Sequence, residues 1–287
     1  MSTDASSQPT NALDASIFQR LHPKAYFERF LSAGFRPDGR KTSDWREISV
    51  NVGSITTAEG SALVRLGDTT VVCGVKAEIA EPELDKPDEG FLVPNLDLPA
   101  ISSPKFKPGA PSEEAQVLSN RLYDLLTSCD VLPLSSLCIE PGKAVWTIFL
   151  DIICINYDGN AFDATVAAAV AALKNARLPK ATFNEETRKT TCSRTEKQAL
   201  TLNRIPLAMS FGVFDTLHLV ADPSSFEEPL VSSTITIAVD AVGHICSLQQ
   251  EGPVRVGDKD AETVIDECLL AAKKRRKELA PVIDAIQ

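Results

Sequence analysis

Apolar residues recur along this chain with two periods, and the switches between them mark its elements. From residue 46 the period is two: Ile48, Val50 and Val52 alternate with Ser49 and Asn51. A second short run, 61–66, lies between Gly60 and Gly67. In a third, 69–79, the residues Val71, Cys73, Val75, Ala77 and Ile79 fall on one face. Three such runs with short glycine-containing connections predict an antiparallel meander. The segment 144–155 (AVWTIFLDIICI) is nearly all apolar and predicts a strand covered on both faces. Asp151 interrupts it and needs a partner or solvent. Further strands are expected over 205–214, 216–221, 233–240 and 243–250, with Asp240-Ala241-Val242-Gly243 suited to a hairpin loop.

The helical period appears elsewhere. Residues 1–15 are polar and expected to be disordered, followed by a short helix with Phe18 and Leu21 before Pro23, then Tyr26, Phe27, Phe30 and Leu31. Arg36-Pro37-Asp38-Gly39-Arg40 reads as a turn with Arg36 and Arg40 in local ion pairs. Residues 82–111 hold seven of the 18 prolines, which predicts an extended, semi-rigid loop. A helix starts near Ser112, with Glu113 and Glu114 in its first turn and an apolar stripe of Leu118, Leu122, Leu125, Leu126 and Cys129. After the turn Tyr157-Asp158-Gly159-Asn160, an alanine-rich helix is expected over 161–177, then a polar connection over 178–202. A last helix covers about 258–286, its Lys273–Lys277 basic run read as a solvated face or a nuclear-import-like cluster. Each half thus reads as strands followed by a helix, an α+β architecture with a loose internal repeat.

Charge narrows the picture. Against 29 Lys+Arg stand 39 Asp+Glu, a formal net charge of −10. A chain that grips nucleic acid by bulk charge is usually basic, so any such contact here is a local patch or a partner's. Seven cysteines without a CxxC pair point to a reduced compartment rather than a disulfide framework. Three scattered histidines give no zinc site, and no nucleophile motif supports Ser-His-Asp or Cys-His catalysis. No apolar run is long enough for a membrane span.

Several blocks, in this order, carry a resemblance: RPDGR at 36–40, GSALVRLGDTTVVCGVKAE at 60–78, PDEGFLVPNLDLP at 87–99, PGK at 141–143 with Trp146, YDGNAFDA at 157–164 and DPSSFEE at 222–228. From about residue 25 to the C-terminus the chain resembles the ribonuclease PH family, and more narrowly the ring subunits of the eukaryotic RNA exosome. The resemblance implies a ribonuclease PH-like fold of two packed βαβα-type halves. Its expected organisation is an N-terminal arm over 1–24, disordered or short helical, a first domain over 25–178, a linker over 179–202 and a second domain over 203–287. It further implies a hexameric ring around an RNA channel, with sister ribonuclease PH-like subunits and cap subunits as partners. The implied setting is nucleus, nucleolus and cytoplasm, supporting 3′-to-5′ RNA processing and degradation, including rRNA maturation and mRNA turnover.

Active members of that family cleave RNA by phosphorolysis and hold phosphate and RNA with arginines at a helix N-terminus. Their turn before the alanine-rich helix reads close to Asp-Gly-Gly-Thr-Arg-Thr. By the resemblance, Asn160, Ala161, Phe162 and Asp163 stand here at the second Gly, the Thr, the Arg and the next hydroxyl. Asp163 is expected to cap the helix and repel phosphate. The family's arginines on the preceding helix read here as Asn120, Asp124 and Thr127, with Arg121 one residue out of register. The family's paired aspartates match Asp222 and Glu228; on local pattern alone Asp222-Pro223 is a turn and Glu227-Glu228 a solvated helix end. The expectation is therefore a non-catalytic ring subunit with a degenerate site at Phe162, Asp163, Asp222 and Glu228, and no metal or cofactor. Its RNA contacts are expected at Lys105, Phe106, Lys107 and Arg65. Two alternatives stay open: an active phosphate-dependent exoribonuclease, and hydrolysis by a metal held at Asp222, Glu227 and Glu228.

Overall fold

The computed structural model describes residues 10–286. The predicted meander forms as β1 (Ile48–Val52), β2 (Gly60–Leu66) and β3 (Thr69–Ala80), each antiparallel to the next. The apolar segment forms β6 (Ala144–Asn156), which pairs antiparallel with β3. The proline-rich stretch is not wholly a loop, because its residues Phe91–Asp97 form β4, parallel to β6. This strand is the sheet's edge, and there a proline costs nothing if its missing N–H would face outward. Leu96 N donates outward to Ser119 Oγ at 2.9 Å, so Pro94, two residues before it, also turns its backbone away from β6. A short β5 (Cys138–Glu140) completes the sheet against β6.

The helix α3 (Glu113–Ser128) begins as predicted, with Ser112 Oγ accepting from Ala115 N. It lies over β4. The alanine-rich helix α4 (Ala161–Asn175) is buried on every side from Ala161 to Leu173, packed between the first sheet and the second. Small side chains permit this; a Cβ on Gly60 would lie 2.5 Å from Ala176 Cα. One face of β6 is therefore covered, but not both: Asp151 is solvated, and Ile153 and Ile155 are each 47% exposed.

The second sheet runs β10-β9-β11-β12, all antiparallel, from β9 (Leu207–Phe214), β10 (His218–Ala221), β11 (Ser233–Val239) and β12 (Ile245–Glu251). The last helix α5 (Ala261–Asp284) covers it with Val264, Cys268, Ala272 and Ile283. The polar connection is structured: β7 (Arg177–Asn184) and β8 (Lys189–Ala199) form a hairpin. At the start of the chain, residues 1–9 of the expected disordered arm lie outside the described residues, while Thr10–Leu21 form α1 and Pro23–Ser32 form α2. The buried face of α2, Phe27 and Leu31, packs on Phe214 and Val220 of the second half. The basic run on α5 is not simply a solvated face. Arg276 is 3% exposed, and Arg275 donates to Arg46 O at 2.8 Å.

Candidate functional site

Three arginines clamp the halves together, two of them as bidentate forks. The turn at 36–40 closes with Arg36 N donating to Arg40 O at 2.7 Å, and it aims the Arg36 side chain inward. There Arg36 is fully buried and bidentate to Glu227, with Nε to Oε1 at 2.8 Å and Nη2 to Oε2. Its remaining N–H groups bond the carbonyls of Ala221 at 2.8 Å and Asp222 at 2.9 Å. The expected local pairing of Arg36 is thus wrong, since its partner is 191 residues away. Arg40 does pair locally, with Asp38 at 2.6 Å, and also reaches Asp222 at 3.2 Å. Arg46 takes Asp222 in the same forked way, Nε to Oδ2 at 2.8 Å and Nη2 to Oδ1 at 2.7 Å. Burial pushes the Asp222 carboxyl up, but the bonds and charge of Arg46 outweigh it and hold Asp222 below the usual carboxylate range. Asp222 and Glu227 are therefore a buried anionic core, neither a free turn nor a solvated helix end.

Asp163 belongs to this core as well. It is buried and accepts from Ser210 N at 2.8 Å, Ser210 Oγ at 2.8 Å and Asn160 Nδ2 at 2.7 Å. Asn160 Nδ2 also bonds Asp222 Oδ1 at 2.7 Å. Burial drives Asp163 up to about 6 against these bonds. The expected capping role does not occur: Asp163 points into the joint between the halves, and the N-cap residue Asn160 makes no side-chain cap bond.

Beside the clamp opens a cleft of about 510 Å³ between α3, the start of α4 and the second sheet. Its charged and aromatic lining is Glu113, Glu114, Arg121, Tyr157, Phe162, Glu228 and Glu251. Arg121 stacks over Phe162, its Cζ 4.5 Å from the ring centroid, and touches Glu251 at 3.3 Å. Burial lowers the Arg121 pKa, opposed by Glu251. Glu228 sits at the first N–H groups of α4, accepting from Asn160 N at 2.7 Å and from Tyr157 Oη at 2.5 Å. Burial raises its carboxyl above the usual range, and those bonds only partly offset it. Lys105 pairs with Glu114 at 2.8 Å and lies 5.1 Å from the Tyr157 ring centroid.

The structure thus brings Phe162 and Glu228 into one cleft and places Asp163 and Asp222 behind it. On α3, Arg121 faces the cleft, while Asn120 and Thr127 line a separate groove beside β4 with Tyr123. Arg121 follows Val117 and Leu118 at helical spacing, and that signal was available. Of the expected RNA contacts, Phe106 is corrected. It is 7% exposed and meets Tyr157 edge-on at 5.2 Å, so its ring is core and not a stacking platform. Lys107 is exposed, and Arg65 is exposed beside Asp68 at 3.7 Å. Arg46, Tyr157 and Glu251 depend on partners in the opposite half, Asp222, Glu228 and Arg121, whereas Glu113 and Glu114 read in sequence only as the start of a helix. Among the described residues no three His, Cys, Asp or Glu side chains are grouped to hold a metal ion. Among them, too, no helix is long and apolar enough to cross a membrane.

Two packed halves, each a sheet with its helix and joined by a buried polar seam, are the framework of a known family. Residues 44–179 match the sequence model described as "3' exoribonuclease family, domain 1", and residues 204–275 match its domain 2. The chain belongs to this RNase PH family of 3′ exoribonucleases. It is 42% identical over 241 residues to "Exosome complex component rrp43" of Schizosaccharomyces pombe, covering 84% of this chain and 89% of that one. It is 36% identical over 253 residues to "Exosome complex component Rrp42" of Thermococcus gammatolerans, covering 88% and 92%. Among solved structures, a chain of the "archaeoglobus fulgidus exosome with RNA bound to the active site" superposes with a TM-score of 0.79 at 30% identity, covering 94% and 98%.

Proposed function

We propose that the chain is a non-catalytic subunit of an RNA exosome ring. It completes the hexamer, shapes the RNA channel and docks sister RNase PH-like subunits and cap subunits, serving rRNA maturation and RNA turnover in nucleus, nucleolus and cytoplasm. The exosome relatives, covered along most of their length, support the assembly. The observation that carries the loss of catalysis is the charge of the cleft. Phosphorolysis must bring phosphate to an RNA backbone, both anionic, so its site has to be cationic. Here Phe162 faces the cleft, Glu228 occupies the N–H of Asn160, and Glu113, Glu114 and Glu251 add further negative charge. Among the described residues, the one guanidinium lining it, Arg121, is engaged with Phe162 and Glu251. Lys105, Lys107 and Arg65 are the proposed RNA contacts, acting as sequence-tolerant charges without an aromatic platform.

The test incubates the purified chain with labelled RNA, with and without phosphate and with and without magnesium. No shortening is expected in any lane. Nucleoside diphosphates would establish a phosphorylase and monophosphates a hydrolase, and either would overturn the reading. Co-expression with one sister subunit is expected to turn a poorly soluble or self-associating chain into a soluble heterodimer. A well-behaved monomer whose melting the sister does not raise would count against a ring subunit.

A further inference from the structure

We infer that the cleft is a docking site for a basic segment of a partner protein: a short extended peptide that lays a lysine or arginine side chain between α3 and the start of α4. The inference rests on the reading that the cleft is not a phosphorolytic centre. Its charges do not balance internally. Lys105 answers Glu114 at 2.8 Å and Arg121 answers Glu251 at 3.3 Å. Among the described residues no cation lies within salt-bridge distance of Glu113 or Glu228; Glu228 is held by two neutral donors, Tyr157 Oη and Asn160 N. A partly buried carboxylate bonded only by neutral donors, with the Lys105 charge acting on it from beyond salt-bridge distance, keeps part of its desolvation cost, and an incoming cation removes more of it.

The walls say which kind of cation fits. Val117, Leu118, Phe162 and Pro223 line the cleft together with the carboxylates. A hydrated metal ion has no use for such walls, whereas a lysine or arginine buries its methylene stem on apolar surface and keeps its head polar. The cleft already shows this mode with a residue of its own, because Arg121 lays its guanidinium over Phe162 and touches Glu251. The volume of about 510 Å³ suits one or two side chains of a segment, not a folded domain.

The experiment titrates the full chain, in the assembly in which it purifies, with the peptide acetyl-Gly-Arg-Leu-Arg-Gly-amide by calorimetry at low ionic strength. One saturable site is expected, weakened about tenfold when the peptide's arginines are replaced by uncharged citrulline. Glu113→Gln with Glu228→Gln should weaken it by a similar factor. Arg121→Ala should tighten binding, because it removes the internal competitor. Glu83→Gln with Asp85→Asn makes the same change of net charge on a distant loop and should leave binding unchanged. Absence of a saturable site, equal binding of the citrulline peptide, an equal loss in the distant variant, or displacement by an equal concentration of spermidine would each overturn the inference. Phosphate-dependent RNA shortening in a parallel lane would instead overturn the non-catalytic reading, so the two failures are told apart.

Discussion

Glu227 and Glu228 are neighbours in sequence and opposites in circumstance. Glu227 is 1% exposed and gripped bidentate by Arg36 inside the clamp. Glu228 turns the other way, into the cleft, and its partners are a phenol and a backbone amide. The clamp spends its arginines on carboxylates and backbone carbonyls of its own chain. The cleft holds more carboxylates than its cations can answer. A carboxylate matched at bonding distance by a buried fork is architecture; one held by neutral donors at the wall of a cavity remains available.

The same substitution on both neighbours breaks this comparison most severely. Glu227→Gln leaves the Arg36 guanidinium buried beside a neutral amide and is expected to cost about 3–5 kcal/mol in urea unfolding. Glu228→Gln keeps the Asn160 N–H on its amide oxygen, offers its NH2 as a donor to the Tyr157 oxygen, and relieves the burial of a charge, so it should stay within about 1 kcal/mol. Equal costs would mean that the two glutamates do one job.

Asp163, behind the cleft, sharpens the contrast through pH. Its folded pKa of about 6 lies above the ordinary 3.8, so the native state binds the proton more tightly than the unfolded chain. Its contribution therefore makes stability fall as pH rises from about 4 to about 6, by about 2–3 kcal/mol in total. Asp222, held low by Arg46, acts with the opposite sign and loses its contribution as pH drops below the ordinary carboxylate range. Asp163→Asn should abolish the first slope and leave the second, as followed by urea midpoints across that range.

A smaller effect is expected at the rim. In the assembled ring, Lys105→Glu with Lys107→Glu should weaken RNA capture a few-fold at low salt and less at high salt, because counterion release drives such contacts. Unchanged RNA protection and crosslinking at low salt would place this loop outside the path. No effect is expected from Phe162→Arg with Asp163→Thr on phosphate-dependent RNA shortening. One new cation among Glu113, Glu114, Glu228 and Glu251 does not reverse the sign of the cleft. Measurable shortening would show that those carboxylates matter less than their number suggests.

Much of the fold was legible. The period of two in β1 to β3 and the alanine-rich run of α4 announce themselves in local pattern. What escaped did so for physical reasons. Pro94 argued against a strand, but a proline is harmless on an outer edge. The hairpin of β7 and β8 carries polar residues along most of its length, so no alternation marked it. Phe162 and Glu228 could be named from the family's motifs, whereas Arg36–Glu227 and Arg46–Asp222 join residues far apart in sequence, and no local pattern encodes them. Arg276 looked solvated because it sits in a basic run, yet it lies four residues after Ala272 on the buried stripe.

The reach of the Arg36–Glu227 pair also sets a timetable for the chain's birth. The two residues are 191 positions apart. At ribosomal speeds of roughly 5–20 residues per second, about 10–40 s pass between the emergence of one and of the other. Throughout that interval the guanidinium at the start of the first half has no carboxylate to enter, and for most of it Phe27 and Leu31 have no Phe214 to pack on. The nascent first half must wait unsealed, with the apolar seam of α4 still lacking its second sheet. A ribosome that stalls in the last third therefore releases a product that chaperones and proteases can recognise as unfinished, and the joint between the halves doubles as a signature of complete synthesis.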